Sequence, residues 1–252
     1  METFKTDYGK ITLYKNETFI IQPFKNNSYW DIDNLLMLKK YINPNKNILE
    51  IGGHCGTSSI VYASFLNENS KVFVYEPQEN LFNLLEFNIK QNKLQHKIIP
   101  YNKAVFCDNT TLTMNNIDLD GGGGIVQKRY NEESNMNCNF GGIGIGNGGE
   151  KVKAITMNEM KHENIGFIHC DAQGSENFIF STGTDFIQKH KPVILFENKD
   201  YYGDYLYNLI CKTYPEYSKH KDFNLEQFCM NKLMYSQIIR RFGNGIDDLL
   251  IP

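Results

Sequence analysis

With 252 residues and a formal net charge of −3, the chain has no basic excess to neutralise a phosphate backbone, so nucleic acid is not an expected partner. Its hydrophobic fraction of 41% supports one large α/β domain with a substantial core, yet no apolar run reaches the roughly 20 residues that span a bilayer. The six cysteines, at 55, 107, 138, 170, 211 and 229, show no CxxC pairing, and the charged start Met1-Glu2-Thr3-Phe4-Lys5 lacks the apolar stretch of a secretory signal; both features favour reduced thiols and a cytoplasmic setting over a zinc cluster or a disulfide framework.

Along the chain, residues 7–22 alternate weakly around Ile11, Leu13, Phe19 and Ile21, which predicts a hairpin. Asp31 or Asp33 is then placed to cap a helix whose apolar positions Ile32, Leu35, Leu36, Leu38 and Ile42 have helical spacing, and Pro44 closes it. A buried strand over 47–51 runs into the turn Gly52-Gly53-His54-Cys55-Gly56, and a helix follows from Thr57 to Leu66, with Thr57 or Ser58 near its cap. A second strand over 71–75 ends at Glu76-Pro77. The helix over 79–91 buries Leu81, Leu84, Leu85 and Ile89, and a third strand lies near 97–106. This βαβαβ order predicts a doubly wound, mostly parallel sheet with helices on both faces.

Strands at 110–114 and 150–155 flank a glycine-rich insertion over 115–150, which holds Gly121 to Gly124 and the run from Gly141 to Gly149. A lid over the substrate and an unstructured insertion both account for so long a loop. Thr156-Met157-Asn158-Glu159 has capping-box spacing. Strand four, 166–170, ends at Asp171; a helical region reaches His190; strand five, 193–196, ends at Glu197. The tail holds an aromatic loop (Tyr201, Tyr202, Tyr205, Tyr207), a helix around 224–241 and a last strand near 249–251. A single domain is the economical organisation, with 1–45 as a β/α extension and 46–252 as the core.

A strand, a glycine turn, a helix and a second strand ending in an acid form the unit with which such sheets hold an adenosine-containing ligand. Glycines let backbone approach the ligand, and Glu76 is placed to take up ribose hydroxyls. The spacing of Gly52, Gly53 and Gly56 is not GxGxxG, which disfavours a pyrophosphate cofactor and leaves an NAD-dependent oxidoreductase as a lesser alternative. S-adenosylmethionine has no phosphate and suits this looser turn, with Glu50 near its ammonium group; a glycine turn without any ligand is the plainer reading. Asp171, Glu176 and Glu197 are placed to converge on one rim, although Glu176 serves equally well as a helix N-terminal acid. His54 and His169 flank the predicted cleft, with the pKa range to accept a hydroxyl proton. Alternation along the strand puts His169 on the same side as Asp171 and turns Cys170 away.

On these residues the chain resembles the FkbM-type methyltransferases, a branch of the class I S-adenosylmethionine-dependent enzymes, over about 47–198. The family's strand-Asp-x-Gly-x-x-x-Gly is similar to Glu50-Ile51-Gly52-Gly53-His54-Cys55-Gly56, and its Glu-Pro, Leu-Leu and Asn positions look like Glu76-Pro77, Leu84-Leu85 and Asn88. Asn102-Lys103-Ala104 resembles its Asn-x-Ala, and Thr156 to Met160 its Thr-Leu-Asp-x-Leu. His169-Cys170-Asp171-Ala172-Gln173-Gly174-Ser175-Glu176 resembles its Lys-Ile-Asp-Val-Glu-Gly-x-Glu, with Glu197 as the closing acid. His169 and Gln173 depart from the family's lysine and glutamate, so catalytic detail does not transfer directly.

The resemblance implies a Rossmann-like fold, S-adenosylmethionine as cofactor, and methyl transfer to an oxygen of a sugar or another small hydroxylated acceptor. It puts Glu50, Gly52, Gly53 and Gly56 at the methionine end, with His54 and Ser58 in the same turn. Glu76 and Pro77 fall at the ribose, Asn102 to Ala104 near the adenine, and Asp171 between cofactor and acceptor. Asp171, His169 and Glu197 are the catalytic candidates. Asp171 or His169 would serve as base, or a divalent metal held by Asp171 and Glu197 would acidify the hydroxyl. Tyr201, Tyr202 and Tyr205 would wall a sugar ring or simply pack the C-terminal helix. A catalytically silent binding or scaffolding protein on the same fold is the main alternative. A nucleic-acid methyltransferase is disfavoured by the charge balance and by the lack of an Asx-Pro-Pro-aromatic motif.

Overall fold

The computed structural model describes residues 1–116, 138–198 and 205–252. The N-terminal hairpin pairs β1 (Glu2–Thr6) with β2 (Gly9–Leu13), so it falls earlier than the weak alternation over 7–22 predicts. Residues Ile21–Lys25 coil instead into the short helix α1, which buries Ile21 and Phe24. Helix α2 (Ile32–Leu38) forms as predicted with Asp31 at its N-cap position, but the Asp31 side chain bonds no backbone N–H of the helix: the backbone there is left-handed, and the carboxylate accepts from Asn34 Nδ2 at 2.6 Å.

The central unit follows in the predicted order: β3 (Asn47–Ile51), α3 (Thr57–Phe65), β4 (Val72–Tyr75) and α4 (Glu79–Gln91). The N-cap of α3 is Gly56 in the left-handed region, and neither Thr57 nor Ser58 bonds the helix end. The predicted third strand divides into β5 (Ile98–Tyr101) and β6 (Ala104–Val105). Strands β7 (Thr111–Asn115) and β8 (Gly148–Ile155) pair antiparallel and form a small separate sheet with β6. Met157–Glu159 is a single 3₁₀ turn with no side-chain cap from Thr156.

Strand β9 (Ile165–Cys170) leads to α5 (Glu176–Ser181) and α6 (Thr184–His190), two helices where one helical region was expected. After β10 (Val193–Glu197) come α7 (Tyr205–Thr213), α8 (Leu225–Lys232), β11 (Gln237–Ile239) and β12 (Asp247–Ile251). The helix expected over 224–241 thus ends at Lys232, and within its remainder Gln237–Ile239 is edge strand.

The main sheet has seven strands in the order β11-β12-β10-β9-β3-β4-β5. The five from β10 to β5 run parallel, and β12 lies antiparallel to both of its neighbours. This is a doubly wound, Rossmann-like α/β fold. Alternation sorts the strands' side chains between two cores. Ile48, Val72, Val74, Phe167, Leu195 and Leu249 pack with α3, α4 and the hairpin. Leu49, Ile168, Cys170, Ile194, Phe196 and Leu250 pack with α5, α6 and α8. Among the described residues no helix is long and apolar enough to cross a membrane.

One buried amide ties the hairpin to this core. Asn88 of α4 is fully buried; its Oδ1 accepts from the Thr12 N–H at 2.9 Å, and its Nδ2 donates to the carbonyls of Thr12 (3.1 Å) and Cys55 (2.8 Å). Asn88→Ala leaves three buried backbone groups without that partner. It is expected to cost about 3 kcal/mol, on a scale of ~1–3 kcal/mol per unsatisfied group. A thermal melt checks this; a loss below about 1 kcal/mol would mean that water replaces the tie.

Candidate functional site

Parallel strands align their C-terminal ends, and here that edge opens into a cavity of about 420 Å³, in the usual size range of small-molecule sites. Strand register explains what lines it. Glu50 lies opposite Val74 on one side and His169 on the other; His169 lies opposite Leu195. These side chains share one sheet face. Two residues further along, that face reaches the rim, where Glu76, Gly52, Asp171, Glu197 and Asp247 follow one another across the strands. The single residue without a side chain in this row is Gly52. Its φ is +88°, and a Cβ there would lie 1.8 Å from the Asp171 carbonyl oxygen. A Cβ on Gly53 would meet Val74 Cγ2 at 2.1 Å. Both glycines line the cavity and also make room for the protein's own neighbouring strands.

Glu76 is 3% exposed at the end of β4. Its Oε2 accepts from the His54 N–H and its Oε1 from the Gln78 N–H, each at 2.8 Å, so it fastens the glycine turn to the next strand. Burial pushes its carboxyl up to about 8 despite those two donors. His54 stands in the turn with φ +48°, and neither ring nitrogen hydrogen-bonds a described residue. Its Nε2 is 3.9 Å from Glu17 Oε2, and burial lowers its pKa to about 4, so the ring is neutral. Two buried polar atoms at a cavity wall without a protein partner are a place for ligand or water.

Deeper on the same face, Glu50 is buried, and Ser59 Oγ donates to its Oε2. His169 Nδ1 lies 3.1 Å from Tyr62 Oη and 3.8 Å from Glu50 Oε1. Burial depresses the His169 pKa, but the Glu50 carboxylate, with smaller help from Asp247 and Asp171, outweighs it and leaves the ring raised. Asp171 and His169 line the cavity while Cys170 is buried in the opposite core, as alternation requires.

The departure at Gln173 has a structural counterpart. Its backbone is left-handed, at φ +52°, and its Nε2 donates to Asp171 Oδ1 (2.7 Å) and to Glu197 Oε2 (3.2 Å). Glu176 Oε1 accepts from the Ala172 N–H at 2.7 Å. Oxygens of Asp171, Glu176 and Glu197 come within 4.8 Å of one another, yet each acid already accepts from a protein donor.

Ser58, Pro77 and Ala104 also line the cavity. Two expected residues do not. Gly56 lies beneath the turn as the cap of α3. Asn102 turns its amide to the Glu76 and Pro77 carbonyls, both at 3.0 Å, and so braces the Glu76 corner from outside. Of the tyrosines expected as a sugar wall, Tyr201 and Tyr202 lie outside the described residues, as do Gly121 to Gly124. Tyr205 is exposed, Tyr207 is buried in a third core, and neither lines the cavity. The run from Gly141 contributes wall: Ile143 and Ile145 are buried and Gly144 approaches Gln173, which favours neither an open loop nor a detached insertion for this part.

Sequence reasoning passed over Trp30, Asp31 and Asn34 before and in α2, and Asp247 on β12, all of which line the cavity. The chain's lone tryptophan followed by an aspartate was the available signal.

No family model matches the chain, and no curated protein does. Several solved structures resemble it distantly. The FkbM methyltransferase of Methylobacillus flagellatus KT is 13% identical over 69% of this chain and 39% of its own, with a TM-score of 0.44. The chain thus spans well under half of that protein's length. An O-methyltransferase of Bacillus cereus, in complex with SAH, is 14% identical over 87% of this chain and 79% of its own, at a TM-score of 0.45. The tRNA (uracil-54, C5)-methyltransferase of Pyrococcus abyssi, in complex with S-adenosyl-L-homocysteine, is 11% identical over 99% of this chain and 43% of its own, also at 0.45.

Proposed function

We propose that the chain is an S-adenosylmethionine-dependent methyltransferase acting on a small hydroxylated acceptor, with a sugar as the favoured class. The observation that carries this reading is the buried Glu76 carboxylate at the cavity, hooked to the glycine turn and with acceptor sites to spare for a pair of ribose hydroxyls. The residues present fit such a cofactor. The cavity size suits a nucleoside ligand. The orphaned nitrogens of His54 await a polar partner. The lining carries the carboxylates of Asp31, Glu50, Glu76, Asp171, Glu197 and Asp247 against one lysine, Lys103, which suits a cationic ligand and repels a pyrophosphate.

When bound, S-adenosylmethionine supplies an electrophilic methyl carbon on a sulfonium. The protein's task is then to hold an acceptor oxygen in line and to remove its proton; positioning alone can supply about 7–11 kcal/mol of barrier reduction. His169 and Asp171 both reach the cavity, and we assign the base to His169, an imidazole whose basicity burial lowers but the neighbouring Glu50 carboxylate more than restores. Asp171, tied to Gln173, orders the wall beside it. The Gln173 amide, donated to both Asp171 and Glu197, competes with a divalent metal for these two acids.

Calorimetric titration with S-adenosylhomocysteine tests the reading, with NADH in parallel. Micromolar binding of the first and none of the second is the expected result. Binding of NADH alone would favour an oxidoreductase. Binding of neither would leave a fold kept for a partner other than a nucleoside cofactor.

A further inference from the structure

Glu50, next to last in β3, was expected at the cofactor's ammonium group; its surroundings also give it a partner within the protein. Glu50 and His169 sit opposite each other on adjacent parallel strands, on the same face, beneath α3. Ser59 from α3 holds one carboxylate oxygen of Glu50, which turns the other toward His169 Nδ1 at 3.8 Å. Tyr62, also from α3 and fully buried, places its Oη 3.1 Å from the same Nδ1 and packs its ring edge-on to the imidazole. Nε2 makes no hydrogen bond with a described residue, and the His169 ring lines the cavity.

This geometry leaves a choice of two neutral tautomers. If Tyr62 donates its hydroxyl proton to Nδ1, then Nε2 carries the ring proton and has no lone pair to offer the cavity. If Nδ1 carries the proton, Tyr62 and Glu50 become its acceptors and Nε2 is left basic. A buried carboxylate on the Nδ1 side favours the second arrangement, since a proton there is attracted and a lone pair is repelled. The other ionisable groups whose charge acts around the ring are Asp31 before α2, Asp171 at the end of β9 and Asp247 on β12.

We propose that Glu50 is a positioning residue for His169: its carboxylate keeps the ring proton on Nδ1, so that Nε2 faces the cavity as the atom that takes the acceptor's proton. The second half rests on the methyl-transfer reading; the first does not. In the reaction, Nε2 takes the hydroxyl proton as the acceptor oxygen bonds the methyl carbon and the carbon–sulfur electron pair returns to sulfur. The resulting imidazolium is then stabilised by Glu50.

Imidazole nitrogen NMR of the full chain tests the pairing without any acceptor. His169→Asn identifies the resonances, and spectra are taken above the pH at which the ring titrates. The expected result is an Nδ1–H tautomer in the wild type and in Tyr62→Phe, and a switch to Nε2–H in Glu50→Gln, where Tyr62 becomes the donor. Glu50→Asp, which keeps the charge, is expected to retain Nδ1–H and serves if the glutamine variant does not fold. An Nε2–H wild type, or a tautomer unmoved by Glu50→Gln, would overturn the proposal. Calorimetry supplies the second arm: S-adenosylhomocysteine affinity of Glu50→Gln is expected within about threefold of wild type, whereas a loss beyond about tenfold would return Glu50 to the cofactor. Failure of the wild type to bind would sink the methyltransferase reading while leaving the tautomer result to decide the pairing.

Discussion

Glu76→Ala is expected to weaken S-adenosylhomocysteine binding by at least about 100-fold. A carboxylate offers about four acceptor positions, and the two backbone amides it holds leave room for two ribose hydroxyls. Hydrogen bonds to a charged group contribute ~1.5–3 kcal/mol each, so losing a pair removes roughly 3 kcal/mol or more, at 1.4 kcal/mol per tenfold. The alanine variant also frees the His54 and Gln78 amides and so loosens the turn itself. Removal of a buried acid whose ionisation is disfavoured offsets part of that cost, so the melting temperature should move far less than the affinity. Calorimetry beside a thermal melt separates the two; affinity within twofold of wild type would dismiss Glu76 as the anchor.

The same residue gives the binding a pH dependence of known sign. In the free protein Glu76 titrates near 8, raised by burial, so below that pH it is protonated. Ribose hydroxyls bind the ionised form, which must therefore lose a proton as the ligand enters. Affinity is expected to fall by up to about tenfold per unit as pH drops below about 8, and to level off above it. Glu76→Gln should flatten this profile. A profile of opposite slope would mean that the neutral acid, acting as a donor, is the binding form.

Gly52→Ala is expected to be the most destabilising single-methyl change among the described glycines. A left-handed backbone costs a residue bearing a Cβ ~1–2 kcal/mol, and the new methyl would sit 1.8 Å from the Asp171 carbonyl oxygen. Backbone cannot swing aside as a side chain can. The Asp171 N–H is bonded to the Ile51 carbonyl at 3.0 Å, and the Gly52 N–H to that of Tyr75 at 2.9 Å, so strands β3, β4 and β9 must separate together. With overpacking at ~1–3 kcal/mol, the total is about 2–5 kcal/mol, or a fall in melting temperature on the order of 10 °C. Cofactor binding should be lost with it, because the rim acids Glu76 and Asp171 flank that joint. A melt within about 2 °C of wild type would show that the edge is more plastic than its hydrogen bonds imply.

Much of the fold was legible in the sequence because local signals and tertiary packing agree there. Strand Asn47–Ile51 and helix Glu79–Gln91 fall where hydrophobic runs and 3.6-residue periodicity put them, since central strands are buried on both faces and α4 presents one apolar face to the sheet. Edges were less legible. Residues 233–241 carry a helical pattern, yet Gln237–Ile239 completes a sheet margin through hydrogen bonds to β12 that no local signal encodes. Helix starts fell as expected but their caps did not: Asp31 and Thr156 hold N-cap positions and Thr57 opens α3, yet none of their side chains bonds a helix end, because the backbone is left-handed at Asp31 and Gly56 and the Thr156 N–H donates to Asn109 Oδ1.

For the site, the row of residues at the ends of the parallel strands was readable from the chain alone: Gly52, Glu76, Asp171 and Glu197 follow from where each apolar run stops. Period-two alternation also settled that His169 and Asp171 share a side. Which of these groups meet depends on the folded arrangement. Glu50 faces His169 because their strands are adjacent and in register; Gln173 spans Asp171 and Glu197 because its left-handed backbone turns the amide back over the rim. Trp30 and Asp247 reach the cavity from opposite ends of the chain. Pairings of this kind depend on strand order and side-chain direction, long-range quantities that a residue's own neighbours in sequence do not carry.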